Sequence, residues 1–170
     1  MRLIPSLRAS HLTWAGLALV VVGLLRVSPS AVACGCALIF GVALSRAITS
    51  VSVARARAAG FEMLWLTNQA SVQATRKRPT VIHAELRNRD TLATHFKDLT
   101  VSHSPGLSIL VNPREGSIPP GGKLTIELQV VPKRVGYQGI HSLTLSTIVA
   151  PGLFTVPLAF SNPFVVDVGA

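Results

Sequence analysis

"KLTIELQV", residues Lys123–Val130, decides how the second half of the chain folds. Leu124, Ile126, Leu128 and Val130 fall on one side, and Lys123, Thr125, Glu127 and Gln129 on the other. Successive side chains of a strand point to opposite faces, so this period of two predicts a half-buried β-strand. The same period recurs in "TVIHAELRN", with Ile82, Ala84 and Leu86 facing one way and His83, Glu85 and Arg87 the other. "LFTVPLAF" repeats it with Phe154, Val156, Leu158 and Phe160. Leu107, Ile109 and Val111 do so again, as do Leu143 and Leu145. Between these runs lie turn-forming clusters: Asn88–Asp90, Ser104-Pro105-Gly106, Asn112-Pro113, Pro119-Pro120-Gly121-Gly122 and Ala150-Pro151-Gly152. Seven or so short strands with no helical pattern between them predict an immunoglobulin-like antiparallel β-sandwich over residues 61–170. It lacks the Cys-Trp-Cys core of antibody domains. Pro157, inside a strand pattern, marks an edge or a bulge.

The first sixty residues follow another rule. "LTWAGLALVVVGLL", Leu12–Leu25, and the run from Ala31 to Leu44 are almost wholly apolar, and Ser28-Pro29-Ser30 lies between them. Each strictly apolar run covers about 21 Å as helix, and a bilayer span needs about 17–25 residues. Borrowing the flanking residues makes the two runs a transmembrane α-helical hairpin, residues 1–48. Ala33, Ala37, Gly41 and Ser45 recur every four residues, and Gly16 and Gly23 lie seven apart. Small residues in such rows let helices approach closely in lipid. Arg2 and Arg8 precede the hairpin, Arg46, Arg55 and Arg57 follow it, and Arg26 alone sits in the turn. That asymmetry places both ends in the cytoplasm. Residues 49–60 form a basic juxtamembrane segment that extends the second helix, with Gly60 as its stop. The competing reading takes Ala31-Val32-Ala33 as a signal-peptidase site and makes the chain an exported or lipidated envelope or adhesion domain cleaved near Cys34. Cleavage there would leave "CGCALIFGVAL" as an uncovered apolar terminus.

Charge and chemistry-bearing residues narrow the function. The net charge is +9. Residues 1–79 hold nine Lys and Arg against one acid, whereas residues 80–170 hold seven against six. The excess borders the apolar runs, as at a membrane boundary, which argues against a nucleic-acid reader. Cys34 and Cys36, one residue apart, suit neither a disulfide nor a zinc site. His83, His95, His103 and His141 show no short ligand spacing, and His83 is expected on a solvent-exposed face. Pro120-Gly121-Gly122-Lys123 lacks the spacing and following helix of a phosphate loop. No catalytic residue, cofactor or metal is expected, and the chain reads as non-enzymatic.

"VPKRVGYQGIHSLTLSTIVAPGLFTVPLAFSNPFVV", from Val131 on, resembles the N-terminal half of the domain-of-unknown-function 58 family. Arg134-Val135-Gly136-Tyr137 matches that family's Arg-Gly-x-Tyr-like turn, and Pro151-Gly152-Leu153-Phe154 its Pro-x-Gly-Leu-Phe element. Ala150 stands where an acidic residue often precedes the second motif. The order of hairpin, basic stretch and β region matches as well. The resemblance implies a bacterial inner-membrane, multi-pass protein whose sandwich faces the cytoplasm and serves protein–protein interaction or assembly. The lipid bilayer is one implied partner. The other is a protein, a MoxR-type ATPase or a von Willebrand factor A-like domain protein. The family's own A-like half has no counterpart here, so the expectation is a split or truncated member or a small stand-alone relative, and nothing residing in that half carries over. A partner strand could join the sheet edge, where Pro157 would interfere.

Overall fold

The computed structural model describes residues 3–67 and 71–170; Arg2, one of the cations placed before the hairpin, lies outside the described residues. The elements in chain order are β1 (Ile4–Pro5), α1 (Leu7–Leu25), α2 (Pro29–Ala59), β2 (Glu62–Trp65), β3 (Ser71–Thr75) and β4 (Thr80–Arg87). They continue with β5 (Thr94–His103), β6 (Leu107–Asn112), β7 (Gly116–Ile118), β8 (Lys123–Pro132), β9 (Gly136–Ile148), β10 (Phe154–Phe160) and β11 (Phe164–Gly169). They form two compact units, Met1–Ala54 with Ile148–Val156, and Arg55–Thr147 with Pro157–Ala170.

In the first unit, Ser6 caps α1: its Oγ accepts from the Ala9 amide at 3.2 Å, leaving one fewer unpaired donor at the helix start. β1 pairs with the start of β10, Ile4 opposite Thr155 and Pro5 opposite Phe154. Ala9, Leu153 and Phe154 form a small core with Leu3, Leu12 and Val42. α1 closes in a Schellman turn, in which the Ser28 amide donates to the Gly23 carbonyl and the Val27 amide to the Leu24 carbonyl. The left-handed position there falls on Val27, φ 51°, a conformation that β-branched residues rarely adopt. The turn between the helices is therefore Arg26–Ser28 rather than Ser28–Ser30. Pro29, with no amide hydrogen to lose, opens α2.

The helices approach closely along glycines, but not along the row that spacing suggested. A Cβ on Gly35 would lie 2.6 Å from the Gly16 carbonyl oxygen and 2.7 Å from Val20 Cγ2. Gly16 faces Ile39, Gly35 and Leu38 in return, and Gly23 faces Ala31 and Val32. Gly41 has nothing within 4 Å, and Ala33 and Ala37 are exposed. Of the four-residue row, only Ser45 is buried. The correction is geometric: a four-residue spacing defines a row without saying which row faces the partner. The packed stripe runs Gly35, Leu38, Val42, Ser45, Thr49, the alternating three-and-four step of a helix face.

The second unit is a β-sandwich with immunoglobulin-like layering. One sheet has the order β2-β4-β8-β6, all antiparallel. The other runs β10-β9-β11-β3, with β5 added to β9 and β7 to β5. β11 and β3 are parallel, Val166 opposite Val72. The alternation read from sequence holds: Ile82, Ala84, Leu86, Ile126, Leu128 and Val130 are all 0% exposed. β9 contributes Ile140, Leu143 and Leu145, also fully buried, so its inward phase shifts by one between Ile140 and Leu143. β11 pairs with the half of β9 before that shift. The pairing of β10 with β1 stops at Thr155, so Pro157 sits on a flank that needs no ladder donor. Ring pairs Phe61–Phe160 at 5.6 Å and Trp65–Phe164 at 4.9 Å join the two sheets. Trp65 Nε1 completes the seam by donating to the Asn162 carbonyl at 3.0 Å.

Candidate functional site

Chemistry first needs reactive groups brought together. Among the described residues, no three of His, Cys, Asp and Glu are placed to hold a metal ion. Cys34 and Cys36 are free and exposed on α2. His95 and His141 lie exposed on β5 and β9, and His103 Nδ1 contacts the Ser104 carbonyl at 2.9 Å. His83 departs from expectation. It is half-buried, and its Nδ1 is enclosed without a hydrogen-bond partner among the described residues. Pro119–Gly122 forms a β-turn, in which the Gly122 amide donates to the Pro119 carbonyl and Gly121 has φ 61°. That turn joins β7 of one sheet to β8 of the other rather than closing a hairpin.

The most developed polar construction gathers Arg55, Asp90 and Asn88 within the second unit. α2 ends in a second Schellman turn, with Gly60 at φ 100°, Phe61 N donating to Ala56 O and Gly60 N to Arg57 O. Gly60 is the expected stop, because only glycine takes that backbone without strain. From the last turns of α2, Arg55 Nε reaches Asp90 Oδ2 at 3.1 Å. Asp90 is only 6% exposed. Burial pushes its carboxyl up, but the Arg55 guanidinium and the Thr91 amide (2.7 Å) outweigh this and hold it below the usual range.

Asn88 organises the same corner. It is 1% exposed, and its Nδ2 donates to the carbonyls of Leu92, Ile118 and Pro119, while its Oδ1 accepts from the Asp90 amide. Read in the sequence as one turn residue among several, it is the buried pin that ties two turns together. Arg89 Nη2 meets Glu62 Oε1 at 2.6 Å on the rim.

The outer face of β4 holds a second surprise. Glu85, expected on the wet side with His83 and Arg87, is 4% exposed. Arg87, two residues on and so on the same face, hydrogen-bonds its Oε1, and Lys123 Nζ lies 3.5 Å from its Oε2. The Arg87 hydrogen bond lowers its carboxyl below the usual value against the opposing effect of burial. These contacts hold structure together.

Surfaces are therefore the candidates. Exposed large hydrophobic residues concentrate on the helices: Trp14, Leu17, Val21, Leu24, Leu25, Phe40, Leu44 and Val51 among them. α1 and α2 are both long and apolar enough to cross a membrane, and little of their apolar length is covered. On the sandwich, β6 ends its sheet and exposes Leu110. Its six residues contain no proline.

No family model matches the chain, and no curated protein does. Solved structures to which the chain is similar include the PapD-like domain 7 of human CEP192, with 10% identity over 65% of this chain and 87% of that one, TM-score 0.45. Two Caenorhabditis elegans proteins are similar as well. WR4, a member of the MSP family, has 12% identity over 65% of this chain and 96% of that one, TM-score 0.36. SSP-19, an MSP-domain protein-like family member, has 14% identity over 58% and 94%, TM-score 0.40.

Proposed function

We propose that the chain is a membrane-anchored, non-enzymatic interaction protein whose hairpin spans the bilayer and whose sandwich binds protein on the cytoplasmic side. The observation that carries this is the inversion of the hairpin. Its interior is glycine, and its leucines, valines and Trp14 face outward over two helices of spanning length. In water, a contiguous apolar surface of that kind drives association; in hydrocarbon it costs nothing. The cations Arg8, Arg46, Arg55 and Arg57 at the two ends, against Arg26 in the turn, support a cytoplasmic sandwich. The resemblance to the domain-of-unknown-function 58 family supports a bacterial inner-membrane setting. It also points to a MoxR-type ATPase or a von Willebrand factor A-like protein as partner.

A matched pair of substitutions tests the anchor. Val21 on α1 and Val81 on β4 are 48% and 51% exposed. If both surfaces meet water, aspartate is tolerated equally. In the bilayer, Val21→Asp costs about 3 kcal/mol of insertion, whereas Val81→Asp costs about 1 kcal/mol or less. Membrane fractionation should show Val21→Asp shifting the chain towards aggregate or degradation, with Val81→Asp staying in the membrane. Equal behaviour of the two removes the anchor reading. A mature chain beginning at Cys34 favours the exported alternative.

A further inference from the structure

Five cations that the sequence distributes over two distant segments meet at one end of the sandwich. Arg76, Lys77 and Arg78 form the β3–β4 connection, and Lys133 and Arg134 begin the β8–β9 connection; all five are exposed. The two connections are tied together. Lys77 N donates to the Pro132 carbonyl at 2.9 Å, and Arg76 Nε donates to the Lys133 carbonyl at 3.3 Å. Arg76 N fixes the first loop to β11 through the Gly169 carbonyl at 3.1 Å. None of the five forms an ion pair among the described residues, while Arg55, Arg87, Arg89 and Lys123 each do. Beside them Val135 and Tyr137 stand 51% and 80% exposed.

This corrects the charge map drawn from sequence. Three of the nine cations assigned to the membrane border belong to the sandwich. They lie at the Thr80 end of β4, whereas Glu62 pairs with Arg87 at its other end, about 25 Å away along the strand. A lone aromatic gives no stacking platform for the bases of a nucleic acid.

We infer that the Arg76–Arg78 and Lys133–Arg134 loops, with Val135 and Tyr137, form a docking surface for an acidic segment of a partner protein that carries an apolar or aromatic residue. This deepens the protein-binding half of the proposed function and does not depend on the partner's family. Unpaired, clustered cations steer an acidic partner and set its orientation, and the adjacent apolar pair supplies desolvated contact.

The test uses the full chain in nanodiscs of zwitterionic lipid. The probe is a short fluorescein-labelled polyglutamate peptide carrying one phenylalanine. Binding is read by anisotropy, and the interaction should weaken severalfold between low salt and about 0.3 M salt. Arg78→Glu/Lys133→Glu/Arg134→Glu, which leaves the Arg76 tether intact, should lower affinity about tenfold or more. Thermal unfolding should remain within a few degrees of the parent. No binding by the parent chain, or equal binding by the triple variant, overturns the inference. Stronger binding to phosphatidylserine vesicles or to an oligouridine RNA, lost in the same variant, overturns it in favour of those ligands. Photo-crosslinking in cells separates the two levels of the argument. A protein partner captured equally by parent and variant removes this surface but keeps the interaction reading, and a parent that crosslinks to no protein removes both.

Discussion

The hairpin and the sandwich use the same apolar residue types in opposite senses. In the sandwich, Ile82, Leu86, Ile126, Leu128 and Leu145 are fully enclosed, and charge lies outside. In the hairpin, Leu24 and Leu25 are 65% and 79% exposed, while the buried positions at the helix contact include Gly16, Gly23 and Gly35. Burial of apolar side chains stabilises a fold only where water is the alternative. Where the surroundings are themselves apolar, close backbone packing takes over, and small residues permit it. The contrast is the one that the proposed membrane anchor calls for.

The largest effect that sharpens the contrast comes from one substitution made in both regions. Leu128→Ala removes a fully buried side chain from the centre of β8 and should cost about 2–5 kcal/mol. Leu24→Ala, on the outer face of α1, should change stability by about 0.5 kcal/mol or less. Trp65 lies against Phe164 in the sheet seam, so its fluorescence in a Trp14→Phe background follows sandwich unfolding alone. A large loss from Leu24→Ala would mean that the hairpin has a water-excluded core of its own, and the contrast would fail.

How much of this was legible follows from which physical quantities are local. Strand alternation is local, so β4, β8 and β10 could be read from Ile82 to Leu86, Leu124 to Val130 and Phe154 to Leu158. Gly60 could be read as a helix stop for the same reason. The face of α2 that meets α1 could not, because it depends on where the partner helix lies; Ala33, Ala37 and Gly41 were as plausible as Gly35. The burial of Glu85 escaped because one of its two partners, beside Arg87, is Lys123, nearly forty residues away and brought close by strand register. Asp90 and Arg55 had no sequence signal beyond a turn and a basic helix. The five-cation end escaped for a similar reason: a one-dimensional charge count assigns Arg76–Arg78 to the neighbouring helix, whereas the β3–β4 connection carries them to the loop of Lys133 and Arg134.

The glycine stripe gives the next test. Gly35→Leu places a side chain where the Gly16 carbonyl and Val20 already stand. Overpacking of that kind costs about 1–3 kcal/mol. Spin-label distances across the hairpin should widen towards the about 8–10 Å axis separation of ordinary helix pairs. Gly41→Leu meets open space and should leave the distances unchanged. If Gly41→Leu also spread the helices, Ala33, Ala37 and Gly41 would be a packing row after all.

The smallest effect concerns acid, and it separates the regions by charge rather than shape. Asp90 and Glu85 both sit in the sandwich with carboxyls held below their ordinary values of 3.8 and 4.5. For Glu85 the Arg87 hydrogen bond is the main cause; for Asp90 burial opposes the shift, and Arg55 with Thr91 overcomes it. A carboxyl with a depressed folded value binds its proton more readily when unfolded. Its stabilisation is therefore complete above the ordinary value and is lost as pH falls through the folded one. Sandwich unfolding followed through Trp65 should be flat from neutral pH to about 5 and should decline below about 4.5. Arg55→Gln removes the ion pair and leaves Asp90 buried beside an uncharged group, so its carboxyl rises and the decline begins at higher pH. The α1 and α2 segments between Leu12 and Leu44 contain no acidic residue, so hairpin distances should not move over the same range. An Arg55→Gln chain whose acid limb coincides with that of the parent would show that Asp90 is held by Thr91 and the Asn88 turn alone, leaving α2 with no electrostatic hold on the sheet.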